Sequence, residues 1–101
     1  MKKVFISQPI ENKTIEEING AKIKAIEYLE SKGYEVVNKE FMNELDIKNP
    51  SNKNYLINIG KNIYKMSECD AIYFTEGWST AKNCRIERLA SLFYNIEILE
   101  N

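Results

Sequence analysis

A chain of 101 residues that is 44% hydrophobic and 29% charged has the composition of an ordinary globular domain, not that of a disordered or membrane-embedded segment. Its formal charge of −1 offers no basic field with which to hold nucleic acid by its phosphates. Histidine is absent, which removes the commonest general base and most transition-metal sites; any catalysis must come from carboxylates, hydroxyls, amides or lysine.

The length suits a single domain over residues 1–101 with one small core. The opening MKKVFIS superficially resembles a signal peptide, but its apolar run ends after three residues, and no stretch approaches a membrane span. A cytoplasmic protein with neither membrane nor nucleic-acid partners is expected. The two cysteines, Cys69 and Cys84, lie in apolar surroundings and read as buried reduced thiols, not as a disulfide framework.

In chain order, KVFIS at residues 3–7 reads as a buried strand that stops in Gln8 and Pro9. Thr14 and Glu17 have capping-box spacing and open a helix whose apolar face is Ile15, Ile18, Ala21, Ala25, Ile26 and Leu29, with its stop at Lys32 and Gly33. YEVV at residues 34–37 is a second strand. A loop over 38–51 leads to a second helix over about 52–67, with Leu56, Ile59, Ile63 and Met66 as its apolar set. Residues 70–74 (DAIYF) form a third strand. Ser79 or Thr80 caps a third helix running to about Tyr94, and residues 95–99 (NIEIL) form an edge strand with Glu97 facing out.

Strands alternating with helices predict a parallel sheet covered on both faces: a small flavodoxin-like α/β/α domain of four strands in the order 2-1-3-4. Ligands in such sheets bind beyond the carboxyl ends of the strands, here in the crevice between the first and third. That places Ser7-Gln8-Pro9-Ile10, residues 38–41 and residues 75–79 together, with the start of the third helix pointing at them. Glu87 stands two turns into that helix. Its neighbours three and four positions away are Cys84, Ala90, Asn83 and Ser91, none of them a cation, although the chain holds fourteen Lys and Arg. A helix face turned into a pocket explains the missing partner; a solvated acid, or one paired with a lysine from elsewhere, explains it equally at this stage. Trp78 reads as a lid or as a stacking surface, and Gln8 as a strand terminator or as a partner for a base edge or sugar hydroxyl. No Walker loop and no Gly-rich dinucleotide fingerprint is present.

The segments KVFISQPI, CDAIYFTEGW and GWSTAKNCRIERLA, in that order, resemble the nucleoside 2-deoxyribosyltransferase superfamily, and most of all a bacterial and phage branch in which an ISQP-like start and a GW…GCRIE-like motif recur. The resemblance implies a flavodoxin-like fold, homo-oligomers (dimers or larger) whose subunits share pockets, no cofactor and no metal, and a nucleoside or nucleotide as the small-molecule partner. It also implies a nucleophilic glutamate, which maps onto Glu87. That carboxylate attacks C1′ of a 2′-deoxynucleoside, displaces the base, and later yields the sugar to a second base or to water. Substrate-binding positions implied alongside it are Ser7, Gln8, Pro9, Asn62, Asp70, Gly77, Trp78, Ser79 and Asn83. The chain departs from the family pattern at four positions. Gln8 stands where glycine is usual, Ala81 replaces a sugar-contacting serine or aspartate, Asn83 replaces a glycine, and Asn62 occupies the place of the acid that protonates the leaving base. General-acid help is worth about two to four powers of ten in rate. Glu76, Asp70 or a carboxylate from a second subunit remain open as its source. A protein that binds a nucleotide without turning it over is the competing expectation.

Overall fold

Both central strands are apolar on both sides because each face of each strand is covered. In β1 (Lys3–Ser7), Val4 and Ile6 point to one face and Phe5 to the other; in β3 (Ala71–Phe74), Ala71 and Tyr73 oppose Ile72 and Phe74. The computed structural model describes residues 1–41 and 52–100. Around those strands it places α1 (Ile15–Ser31), β2 (Glu35–Val36), α2 (Asn52–Met66), a 3-10 turn (Trp78–Thr80), α3 (Lys82–Phe93) and β4 (Glu97–Glu100). All pairings are parallel and the strand order is β2-β1-β3-β4, the flavodoxin-like arrangement expected from the alternation of elements.

One face of the sheet is sealed by α1, whose Ala25 and Leu29 meet Val4, Ile6, Val36, Ala71 and Tyr73. The other carries α2 and α3, with Met66 and Cys84 against Phe5, Ile72 and Phe74. Thr14 caps α1 as a complete capping box: its hydroxyl accepts from the Glu17 amide at 3.1 Å while the Glu17 carboxylate accepts from the Thr14 amide at 3.0 Å. The helix ends at Ser31, and Gly33, just past its cap Lys32, turns the chain away with a φ of 88° that suits glycine. At the outer edge Glu97 faces solvent and pairs with Lys2 at 2.6 Å.

Four elements differ from the sequence reading. Regular pairing of the second strand covers only Glu35 and Val36; beyond it the Asn38 side chain substitutes for backbone, accepting from the Ile6 amide at 2.8 Å and donating to the Ile6 carbonyl at 2.9 Å. Ser79 and Thr80 do not cap α3. They lie in the 3-10 turn, and α3 starts after Ala81, which offers no capping side chain. The fourth strand begins at Glu97 because Asn95, at φ 56°, turns the chain out of α3. On α2 the expected apolar face is only partly inside: Met66 is buried, whereas Leu56 is 63% exposed and Ile63 39% exposed. The loop expected over 38–51 lies, from residue 42 on, outside the described residues. Among those described, no helix is long and apolar enough to cross a membrane.

The cap assignment is testable by denaturant unfolding. Thr14→Ala should lower stability by about 0.5–2 kcal/mol, while Ser79→Ala, exposed and outside α3, should change it by less than about 0.5 kcal/mol.

Candidate functional site

Period-two alternation sends Ser7, like Phe5, toward the side of the sheet that carries α3. The inward stripe of α3 comprises Asn83, Cys84, Glu87 and Ser91, all buried. Strand and helix therefore bring Ser7 and Glu87 face to face, and the Ser7 hydroxyl donates to Glu87 Oε1 at 2.6 Å. From α2, Asn62 Nδ2 donates to Glu87 Oε2 at 3.1 Å. Glu87 is completely buried. The absence of a cation one turn either side thus reflects a face that looks inward. The adjacent Arg88 is engaged elsewhere: its guanidinium lies 4.1 Å from the Trp78 ring centre and 5.3 Å from that of Phe74, and it pairs with Glu100.

Burial pushes the Glu87 carboxyl above its ordinary value of 4.5, and the hydrogen bonds from Ser7 and Asn62 oppose that shift only in part. Burial likewise raises the thiols, Cys84 to about 12 and Cys69 to about 11, so neither is an activated nucleophile. Cys69 is only partly buried, less enclosed than the sequence suggested.

Glu87 borders a cavity of about 100 Å³. Its walls come from β1, the segment after β2, and all three helices, and include Gln8, Ile18, Lys22, Asn38, Asn58 and Asn83. Gln8 is fixed at both ends: its Nε2 donates to the Ile18 carbonyl at 2.9 Å, and its own carbonyl accepts from Asn83 Nδ2 at 2.8 Å. Asn83 Oδ1 is buried with no partner among the described residues. A second, larger hollow of about 850 Å³ lies beside α1 and is lined by Pro9, Tyr28, Tyr73, Thr75 and Gly77, among others. Gln8 borders both.

Of the ten positions expected at the site, Ser7, Gln8, Asn62, Asn83 and Glu87 come together. Pro9 and Gly77 face the larger hollow instead. Asp70 does not belong to either: it precedes β3 and so sits at the amino end of a parallel sheet, where its carboxylate accepts from the Lys3 amide at 2.8 Å. Trp78 is the platform beneath Arg88 and packs on Phe74, with ring centres 5.9 Å apart, and it lines neither hollow. Ser79 is exposed in the turn and lines neither hollow. The cavity beside Glu87 takes none of its described walls from β3 or the loop after it, so it lies on the β2 side of the expected crevice.

The sequence model of a family described as "Domain of unknown function (DUF4406)" matches residues 2–99. The chain belongs to that family. No curated protein and no solved structure matches it.

In this DUF4406 domain, Lys22 and Asn58 are site-lining residues that the sequence did not single out, whereas Asn38 belongs to the 38–41 segment it brought to the crevice. Asn58 stands four residues before Asn62, one turn away on the same helix face, and that spacing was available as a signal once Asn62 was suspected. Lys22 lies on the half-buried flank of α1 and carried no such cue.

Because the folded carboxyl has a raised pKa, its contribution to stability is fully present below the unfolded value and is lost as pH rises through the folded one. Glu87→Gln should therefore gain in melting temperature over wild type in thermal scans, with a difference that grows as pH rises above the ordinary carboxyl value of 4.5. A constant difference above that value would show that the carboxyl keeps an ordinary pKa.

Proposed function

We propose that this protein acts at the N-glycosidic bond of a deoxynucleoside or deoxynucleotide, with Glu87 as the nucleophile. The observation that carries the reading is the carboxylate of Glu87, held at both oxygens by Ser7 and Asn62 beyond the carboxyl end of β1 and bordering a polar cavity. Such a group is preorganised: its position is set before a substrate arrives. In the first step an Oε–C1′ bond forms as the C1′–N bond breaks, and the electron pair leaves with the base. Transfer to a second base or to water then frees the carboxylate. The resemblance to nucleoside 2-deoxyribosyltransferases supports the same assignment.

Two features favour a second reading, a protein that binds a nucleotide without cleaving it. The described walls of the cavity hold no carboxylate besides Glu87 to protonate a departing base, and Asn62, in the acid's place, donates to Glu87 instead. The cavity's volume of about 100 Å³ also falls below the roughly 300–1,000 Å³ usual for small-molecule pockets, so a nucleoside enters only if a wall moves.

Self-association fits either reading. The outer faces of α2 and α3 bare Leu56, Ile57 and Tyr64 and Leu89, Leu92 and Phe93 respectively, with Tyr94 beyond the end of α3. Aromatic side chains cover about 150–250 Å² each, so this surface approaches the ~800 Å² per partner of a stable interface. A second copy presenting the same two helices would cover it as an antiparallel bundle.

Incubation with deoxynucleosides and their 5′-monophosphates, with and without free bases, should release or exchange base in wild type and not in Glu87→Ala. The acidic limb of that activity should lie above the ordinary carboxyl value of 4.5, because only the ionised group attacks. If no base is released but a nucleotide at a hundred times its Kd adds about 2.7 kcal/mol of stability, the binding reading holds. Sedimentation should show a dimer or larger species that Phe93→Glu dissociates.

A further inference from the structure

Lys22 reaches the Glu87 cavity from α1, and its ammonium donates to the main-chain carbonyl of Glu40 at 2.7 Å, a neutral acceptor. Lys65, in the last turn of α2, donates to the Glu40 carboxylate at 3.0 Å. Among the described residues the two ammonium groups thus stand with two carboxylates, Glu40 and the Glu87 of the cavity wall, but Lys22 itself donates to a neutral oxygen, and the cavity's other polar walls are mainly amides. Burial lowers the Lys22 pKa; the Glu40 carboxylate opposes that shift and the nearby Lys65 adds to it. A partly desolvated ammonium whose hydrogen bond among the described residues goes to a main-chain carbonyl is stabilised by a bound anion. Independently, Asn83 is only 5% exposed, lines the same cavity, and leaves its Oδ1 acceptor without a partner among the described residues. That oxygen calls for an N–H or O–H donor.

We infer that the Glu87 cavity takes a phosphorylated small molecule, its phosphate held by Lys22 with Lys65 alongside and a hydroxyl or amino group donating to Asn83 Oδ1. A phosphate monoester, with three acceptor oxygens and close to two negative charges, can bridge two ammonium groups. Resting on the nucleotide reading above, the inference selects the 5′-monophosphate over the unphosphorylated nucleoside.

Calorimetric titration of wild type, Lys22→Gln, Lys22→Arg and Lys65→Gln with three probes tests it: inorganic phosphate, a deoxynucleoside 5′-monophosphate, and the matching deoxynucleoside, all at one ionic strength. Phosphate should bind wild type and Lys22→Arg, at least about tenfold more weakly in Lys22→Gln, with a smaller loss in Lys65→Gln. The monophosphate should bind wild type more tightly than the nucleoside does, and the gap should close in Lys22→Gln. Phosphate binding that depends on Lys22 while neither nucleoside nor nucleotide binds would sustain the anion subsite and overturn the nucleotide reading. Equal phosphate affinity in wild type and Lys22→Gln, or a nucleoside binding as tightly as its monophosphate, overturns the inference. Should Lys22→Gln fail to fold by circular dichroism, Lys65→Gln and the salt dependence of wild type decide: affinity indifferent to both counts against it.

Discussion

A carboxylate with no exposure to water is expensive to hold, and the way this fold holds Glu87 governs much of what surrounds it. The two donors that offset its desolvation come from separate elements, Ser7 from β1 and Asn62 from α2, while the acid itself belongs to α3. An unpaired polar group in such a place costs roughly 2–7 kcal/mol. The three elements are thereby tied to one relative position, and the same contacts that compensate the buried charge also set the direction in which it can act. Cys84 and Ser91, one turn to either side of Glu87 on α3, complete the inward row: Cys84 joins the apolar layer and the Ser91 hydroxyl donates back to the Glu87 carbonyl at 2.9 Å. Site and core are parts of one layer.

The charges nearby are distributed so that none neutralises that acid. Arg88 follows it in sequence, yet a helix turns successive residues by about 100°, and the guanidinium is occupied by Trp78, Phe74 and Glu100. Lys22 and Lys65 are both engaged by Glu40. The direct hydrogen-bond partners of the Glu87 carboxylate are thus a hydroxyl and an amide, while Lys22, on the same cavity, donates to the Glu40 carbonyl. For the reaction proposed above, such an arrangement would leave the carboxylate available, since a direct ion pair would both lower its basicity and cover it.

Much of the fold was legible because the rules involved are local. KVFIS and DAIYF are continuous apolar runs, Thr14 and Glu17 satisfy a capping box by spacing alone, and the alternation of strands with helices fixes a parallel sheet. Glu87 could be singled out by what its helix neighbours lack. What escaped depended on packing between elements. In α2 the aliphatic residues that mark its helical period include ones left outside, while Asn58 and Asn62 face the cavity, so polarity there signals the site and not the surface. Trp78 gave no hint that an arginine ten residues on would cover it. Asp70 is a different case: it was readable, because a residue preceding a parallel strand lies at the amino end, opposite any site at the carboxyl ends. Asn38 illustrates the limit, since no propensity rule anticipates a side-chain amide standing in for a ladder residue.

The sparse apolar anchoring of α2 has a dynamic consequence. Met66, at its last turn, is its one fully buried large apolar side chain among the described residues, whereas β1 and β3 are enclosed on both faces. Cooperative opening follows such differences in local contact, so the amides of α2 should exchange with solvent at a lower free energy than those of the central strands. The helix that supplies Asn62 is thus the wall best able to swing away, and a guest gripped by that wall would slow its breathing in proportion to how firmly it is held.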